Sequence, residues 1–257
     1  MKNLKKYWNK RVDRLVSLIS KKRSTRSINY YHDLRIEIKK IKALFELIHF
    51  HNGKFNRKSS LRPFKKLFEK AGSIREIQVE RKMLKKYLQQ SHSRYLDVLL
   101  KIQNKYEQSF SQIQFAKVAE EVRTKKKRIG KLFNSISRKA AESYVAKMKR
   151  KLKKMLSVEL GDKDVHKIRK QIKTLHYNIA QVQVESEILD GKQWTRFLDL
   201  LGRWHDCEVA IRHLKKFIRK TKNGRVKVEE VSSVLFNLTK EKAKLLVRIN
   251  KTATLLR

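Results

Sequence analysis

The chain has almost none of the residues that interrupt helices or cross-link small domains. Its 257 residues include one cysteine, one proline and seven glycines. The single cysteine, Cys207, excludes an internal disulfide, and a free thiol fits a reducing compartment. The scarcity of proline and glycine disfavours short strands joined by many turns and favours long helices. We therefore predict an all-α protein.

Long apolar runs are also missing. No uncharged stretch reaches the roughly 18 residues that a membrane-spanning helix requires. The chain begins like a basic signal peptide, but Asp13 and Arg14 interrupt the apolar part. We interpret this segment as a helix. These features predict a soluble, cytoplasmic protein.

Acidic residues are few beside the basic ones. The 66 lysines and arginines outnumber 24 aspartates and glutamates, which gives a formal net charge of +42. At 40% hydrophobic residues the chain still has enough apolar surface to fold around a core. Such an excess of positive charge repels itself unless a polyanion neutralises it. The expected partner is a phosphate polymer or an anionic surface.

Apolar residues recur at the spacing of a buried helical face in two places. The two series are Leu34, Ile38, Ile41, Phe45 and Ile48, and Ile168, Ile172, Leu175, Ile179 and Val182. The same periodicity predicts helices at about 3–23, 28–50, 60–90, 92–117, 136–158, 163–188, 190–221 and 227–256. Gly53, Gly161, Gly191 and Gly224 fall in the connections, and Ser59 or Ser60 ahead of Pro63 marks a helix start.

The chain contains an internal repeat. YHDLRIEIKKIKALFELI, residues 31–48, aligns without a gap on VHKIRKQIKTLHYNIAQV, residues 165–182. AGSIREIQVERKMLKKYL, residues 71–88, aligns on LGRWHDCEVAIRHLKKFI, residues 201–218. The simplest architecture is two similar four-helix units about a pseudo-twofold axis.

This repeat divides one domain, 1–257, into a first half, 1–117, and a second half, 136–257. Residues 118–135 either extend the fourth helix or connect the halves.

A glycine recurs inside the repeat. The second pair of segments aligns Gly72 with Gly202, inside helical patterns where glycine costs about 1 kcal/mol relative to alanine. Its recurrence predicts a close helix approach or a kink.

A basic stripe flanks the apolar seam on each repeated helix. The stripes are His32, Arg35, Lys39 and Lys42, and His166, Arg169, Lys173 and His176. At about 100° per residue, each stripe lies about a third of a turn from its seam and so faces a cleft beside the core. Ordinary surface charge is the alternative, and the repetition favours the cleft.

The next helix of each half carries a second track of charges. Arg62, Lys66, Glu69, Ser73 and Glu76 correspond to Lys192, Arg196, Asp199, Arg203 and Asp206. Two explanations remain open. The carboxylates hold long basic side chains in position, or they form simple ion pairs on the helix surface.

The repeated segments resemble the two halves of a CHAD domain, the conserved histidine α-helical domain. The shared pattern is a histidine, an arginine three residues later, further basic residues at helical spacing, and a downstream glycine followed by an arginine–aspartate or similar pair. The resemblance covers essentially the whole chain. It implies two four-helix bundles enclosing a basic central cleft or pore that binds inorganic polyphosphate.

The resemblance assigns the namesake histidines to His32 and His166, which either contact phosphate or brace the helix starts. The downstream pairs fall on Arg75 with Glu76 and on His205 with Asp206. The expected polyphosphate-binding residues are His32, Arg35, Lys39, Lys42, Arg62, Lys66, Arg75, His166, Arg169, Lys173, His176, Lys192, Arg196 and Arg203. Lysine stands at three positions where arginine is frequent, which predicts less geometric selectivity.

Two other functions compete with this one. A nucleic-acid binder is suggested by Tyr7, Trp8, Tyr30 and Tyr31 near basic residues, although no RNA-binding signature is present. A phosphotransferase or hydrolase would need a metal-binding cluster of carboxylates, and none stands out. Zinc is not expected, because only His49 and His51 are closely spaced.

We therefore expect a non-enzymatic protein without cofactor or metal. Polyphosphate granules are a candidate location. CHAD domains often work beside a triphosphate-hydrolysing domain, so a separately encoded polyphosphate- or triphosphate-processing enzyme is a candidate partner.

Overall fold

A computed structural model describes residues 2–27, 29–88, 94–182, 192–221 and 228–256. These residues form nine α-helices, with no strand among them. The helices are α1 (Lys2–Ile19), α2 (Tyr30–His51), α3 (Arg57–Leu84), α4 (Arg94–Ser111), α5 (Phe115–Leu132), α6 (Arg138–Leu156), α7 (Asp162–Val182), α8 (Lys192–Thr221) and α9 (Val228–Thr254). The prediction of an all-α protein is confirmed.

Helix α5 is the main departure from the predicted pattern. The fourth helix ends at Ser111, earlier than the spacing predicted, and α5 then takes up most of the segment 118–135. The intervening turn buries Ile113 and contains neither glycine nor proline. Because no helix-breaking residue marks this turn, the sequence pattern could not locate it. The segment is a separate helix and not an extension of α4.

The start of α3 also differs from the prediction. The Oδ1 atom of Asn56 accepts a hydrogen bond from the backbone N–H of Ser59 at 3.0 Å, and the helix begins at Arg57. Asparagine satisfies a free N–H at a helix start as well as serine does, so the first turn forms earlier. Gly53 and Gly161 lie in connections as predicted. Gly191 and Gly224 lie outside the described residues.

The chain forms two compact units that do not follow its linear order. The first unit comprises Met1–Ser73, Gln108–Leu152 and Lys170–Glu187, and the second comprises Ile74–Glu107, Lys153–Arg169 and Ile188–Arg257. The division falls inside four helices, α3, α4, α6 and α7. Each unit therefore draws on both halves of the sequence, and the division into 1–117 and 136–257 remains a prediction about the repeat.

The core of the first unit is built around aromatic rings. Trp8 is 1% exposed and lies 5.7 Å from Phe45 and 5.9 Å from Phe133, measured between ring centroids. Its indole Nε1 donates a hydrogen bond to the backbone carbonyl of Lys126 at 3.0 Å. This bond satisfies the one polar atom of a buried ring. It also ties α1 to α5.

Both predicted apolar seams lie inward. All five members of the α2 seam are buried, from Leu34 to Ile48, and so are the α7 members Ile168, Ile172, Leu175 and Ile179. The side chain of Val182 lies outside the described residues. The seams orient α2 and α7, so the basic stripes beside them take up the edges of the buried faces.

Candidate functional site

Arg35 is fixed against α3. Its Nη1 atom donates a hydrogen bond to the backbone carbonyl of Phe68 at 3.0 Å, and its guanidinium carbon lies 4.4 Å from the centroid of the Phe68 ring. A Cβ atom at Gly72 would come within 1.9 Å of the same Nη1. Gly72 therefore leaves room for the Arg35 guanidinium, while the close helix approach or kink remains a prediction. At Gly202, by contrast, a Cβ atom would meet no described heavy atom within 4 Å.

The stripe on α2 and the track on α3 meet in the first unit at a groove of about 620 Å³, here called the α2–α3 groove. Its basic lining residues are Lys39, Lys42, Lys58, Arg62 and Lys65. Glu69 is the only carboxylate among the described residues that line it. Ile38, Leu61, Phe64 and Phe68 supply apolar walls. Five cations beside one acid make this groove a strongly positive surface.

Three of the predicted binding residues, Lys39, Lys42 and Arg62, line this groove. Arg35 adjoins it, because the Phe68 ring that it covers is one of the walls. His32 and Lys66 are exposed, and neither lines the groove. The groove therefore brings together the later turns of the α2 stripe and the early turns of α3.

Two lining residues, Lys58 and Lys65, were not among the predicted ones. They lie four residues before Arg62 and three residues after it, so all three share one face of α3. The spacing was visible in the sequence. The repeat does not point to these two lysines, because it is Lys66 that has a basic counterpart, Arg196, in the second half.

The stripe on α7 is divided between the two units. His166 and Arg169 belong to the second unit, and Lys173 and His176 belong to the first. The His166 ring lies 5.5 Å from the ring of His205, measured between centroids. In the second half, the namesake histidine therefore lies beside His205, one member of the downstream pair. His176 is exposed, and its ring lies 6.1 Å from that of Tyr177.

The predicted basic residues on α8 are exposed. Lys192 and Arg196 lie in its first two turns, and Arg203 donates a hydrogen bond to Glu241 on α9 at 3.0 Å. Glu241 also accepts a hydrogen bond from Tyr87, which is the largest influence that lowers the pKa of its carboxyl group. Glu241, the carboxylate that binds Arg203, thus lies on α9, a helix that carries none of the predicted binding residues.

Arg75 and Glu76, the predicted downstream pair of the first half, lie in the second unit. Arg75 donates a long hydrogen bond, 3.4 Å, to Gln78 on its own helix. Glu76 forms an exposed ion pair with Arg212 at 3.6 Å. Arg212 belongs to neither stripe nor track, so Glu76 does not pair with a predicted binding residue here.

Lys242, a cation that the prediction omitted, is largely enclosed. Its Nζ atom lies 2.7 Å from Asp162, contacts Glu208, and lies 4.9 Å from the centroid of the Trp204 ring. Burial by itself lowers its pKa, but hydrogen bonds to the two carboxylates outweigh that effect, and the pKa is raised. Lys242 stays charged and stabilises the packing of α7, α8 and α9 in the second unit.

The comparison with protein families decides the identity of this helical, basic chain. The model of the CHAD domain matches residues 6–215. The chain belongs to the CHAD domain family. No curated protein matches the sequence.

The crystal structure of the CHAD domain from the plant Ricinus communis has the same fold. The superposition covers 100% of this chain and 92% of the plant chain, with a TM-score of 0.74 and 14% sequence identity. At this identity the likeness concerns the fold alone. The CHAD prediction made from the repeated segments is confirmed.

Most of the aromatic residues that suggested nucleic-acid binding are packed inside this CHAD domain. Trp8 and Tyr30 are 1% exposed, and Tyr31 is also buried. Tyr7 is half-buried beside Arg11, and burial raises its pKa to about 12. The buried rings have no free face for a base to stack on.

Within the described ranges, no group of three His, Cys, Asp or Glu side chains could hold a metal ion. Among the helices that the structure describes, none is long and apolar enough to cross a membrane.

Proposed function

We propose that this CHAD domain binds inorganic polyphosphate without transforming it, and that the α2–α3 groove holds part of the bound chain. The observation that carries the proposal is the set of five cations from two helices that line one groove beside a single carboxylate. A linear phosphate polymer has charge on every phosphate, and it has no nucleobases that a protein could recognise. Closely spaced cations are therefore the side chains that it requires.

The geometry of Arg35 supports the same proposal. The guanidinium is held by Phe68 before any ligand arrives, so less conformational entropy is lost when it binds phosphate. Lys39 and Lys42, at the next turns of α2, are flexible point charges. We expect this combination to favour a polyanion of variable conformation over a ligand of fixed shape.

The repeated residues extend the proposed site beyond this groove. His166, Arg169, Lys173 and His176 repeat the α2 stripe, and Lys192, Arg196 and Arg203 repeat the α3 track. We include them, with Arg75, in the proposed binding set. The duplication into two four-helix bundles, their pseudo-twofold relation and a basic central cleft or pore are proposals that rest on the repeated sequence and the CHAD resemblance. A cytoplasmic location, at polyphosphate granules or elsewhere, is likewise a proposal.

A competition titration tests the choice of ligand. Labelled long-chain polyphosphate would be displaced, at near-physiological salt, by unlabelled polyphosphate, duplex DNA or transfer RNA at equal phosphate concentration. We expect clear preference for polyphosphate, and we expect that preference to persist as salt rises. Equal competition by all three, lost together at high salt, would instead support binding to nucleic acid by bulk charge.

Charge reversal tests the choice of site. Lys42 and Arg62 are both exposed, so the Lys42→Glu/Arg62→Glu variant should fold. We expect its polyphosphate affinity to fall about tenfold or more, since two charge-assisted contacts are lost. The matched control is Lys151→Glu/Lys154→Glu, which makes the same change in net charge at exposed positions on α6. Equal losses in both variants would show that position does not matter.

A further inference from the structure

A second basic groove lies in the first unit, away from the stripes and tracks. It has a volume of about 880 Å³ and runs between the end of α1 and the start of α5. Its basic lining residues are Lys21, Lys22, Arg23, Arg26, Lys117 and Arg123. Glu120 is the only acidic residue among the described ones that line it, and it lies 3.8 Å from Arg123. We call it the α1–α5 groove.

Arg26 is held in this groove by three aromatic rings. Its guanidinium carbon lies 4.7 Å from the centroid of Tyr30, 5.4 Å from that of Phe110 and 5.2 Å from that of Phe115. Its Nε atom is buried and has no hydrogen-bond partner among the described residues. A planar guanidinium that is fixed in place is suited to phosphate oxygens, which it binds through its other N–H groups.

The remaining cations come from two segments of the chain. Lys21 and Lys22 follow α1, Arg23 begins a short 3-10 turn, and Lys117 lies in the first turn of α5. That first turn has no acidic residue, and Gln114 before it makes no side-chain hydrogen bond to cap the helix. The start of α5 therefore adds to the positive field and does not offset it. Cations from these two segments line one groove and can therefore bind a single phosphate-rich anion together.

We propose that the α1–α5 groove binds a compact oligophosphate group, at a site separate from the α2–α3 groove. Its volume is in the range of small-ligand sites, about 300–1,000 Å³. Free inorganic triphosphate and the triphosphate of a nucleotide share the chemistry that the groove recognises. Long-chain polyphosphate is the ligand proposed for the other groove, so the two proposals can fail separately.

Calorimetric titration of the full chain with inorganic triphosphate, at near-physiological salt, tests the site. The groove variant is Arg23→Glu/Lys117→Glu, in which both positions are exposed. The control is Lys42→Glu/Arg62→Glu in the other groove. We expect one molecule of triphosphate bound per chain, affinity reduced about tenfold or more in the groove variant, and affinity reduced less than threefold in the control.

A charge-preserving variant separates geometry from charge. Arg26→Lys keeps the net charge but removes the planar guanidinium, so we expect triphosphate affinity to fall while long-chain polyphosphate still binds. Absence of triphosphate binding to the unmodified chain, or equal losses in the groove variant and its control, would overturn the proposal.

A parallel titration with a nucleoside triphosphate identifies the source of the phosphate group. Equal affinity for the two ligands supports a site that reads phosphates alone. Tighter binding of either ligand supports the same site and shows whether it prefers free triphosphate or the triphosphate of a nucleotide.

Discussion

The Nη1 atom of Arg35 lies 1.9 Å from the position that a Cβ atom would occupy at Gly72. The guanidinium can donate to the Phe68 carbonyl only because position 72 has no side chain. Gly202 occupies the equivalent place in the repeat, yet a Cβ atom there would meet no described heavy atom within 4 Å. The two glycines align in sequence but differ in what they accommodate.

Replacing each of these glycines by alanine separates the effect of helix propensity on stability from the effect of the Arg35 position on polyphosphate binding. Gly72→Ala gains about 1 kcal/mol in helix propensity but displaces the guanidinium, so the Phe68 hydrogen bond is lost. We expect little net change in the free energy of unfolding and a several-fold loss of polyphosphate affinity. Denaturant unfolding and the polyphosphate titration measure the two quantities.

Gly202→Ala is the matched control. We expect it to raise the free energy of unfolding by up to about 1 kcal/mol and to leave affinity unchanged. If Gly72→Ala bound polyphosphate as tightly as the unmodified chain, the position of Arg35 would be irrelevant to binding.

Glu80 should be the most costly carboxylate to remove in the second unit. It is 1% exposed, accepts a hydrogen bond from the Tyr95 hydroxyl at 2.7 Å, and lies 2.5 Å from Nδ1 of His213. Glu80→Ala leaves the buried Tyr95 hydroxyl without its acceptor and removes the carboxylate beside the partly exposed His213, so we expect a loss of about 3 kcal/mol in the free energy of unfolding. Denaturant titration followed by circular dichroism measures it.

Glu76, one turn earlier on α3, provides the comparison. Its ion pair with Arg212 is exposed, and exposed pairs contribute about 0–1 kcal/mol. We expect Glu76→Ala to change stability by no more than that. Similar losses for the two variants would mean that burial of Glu80 does not govern its contribution.

Cys207 should report the opening of the second unit. The side chain is buried, and burial, together with nearby Glu241 and Asp206, raises the pKa of the thiol to about 12. Because only the thiolate is alkylated readily, the folded protein at pH 8 should react on the order of a thousandfold more slowly than the protein in guanidinium chloride. Chain mass after timed alkylation measures both rates. Rapid alkylation under native conditions would mean that this core opens freely.

Most of the local structure of this protein could be read from residue spacing. The seams that include Leu34 and Ile168 predicted which faces are buried, and those residues are 0% exposed. The scarcity of proline and glycine predicted helices throughout. The turn before Phe115 was not predicted. It contains neither residue, so local propensity gave no sign that one helix ends and another begins.

The sequence by itself determined the helical class, the buried faces and the CHAD family, because helical periodicity and a repeated motif are properties of neighbouring residues. Only the tertiary structure decided which cations share a groove. Lys58 and Lys65 join Lys39 and Lys42 because α3 lies beside α2, with the Arg35 side chain of α2 reaching the space that is left at Gly72. Packing between helices joins residues far apart in the chain, and spacing within one helix does not encode which helix it will meet.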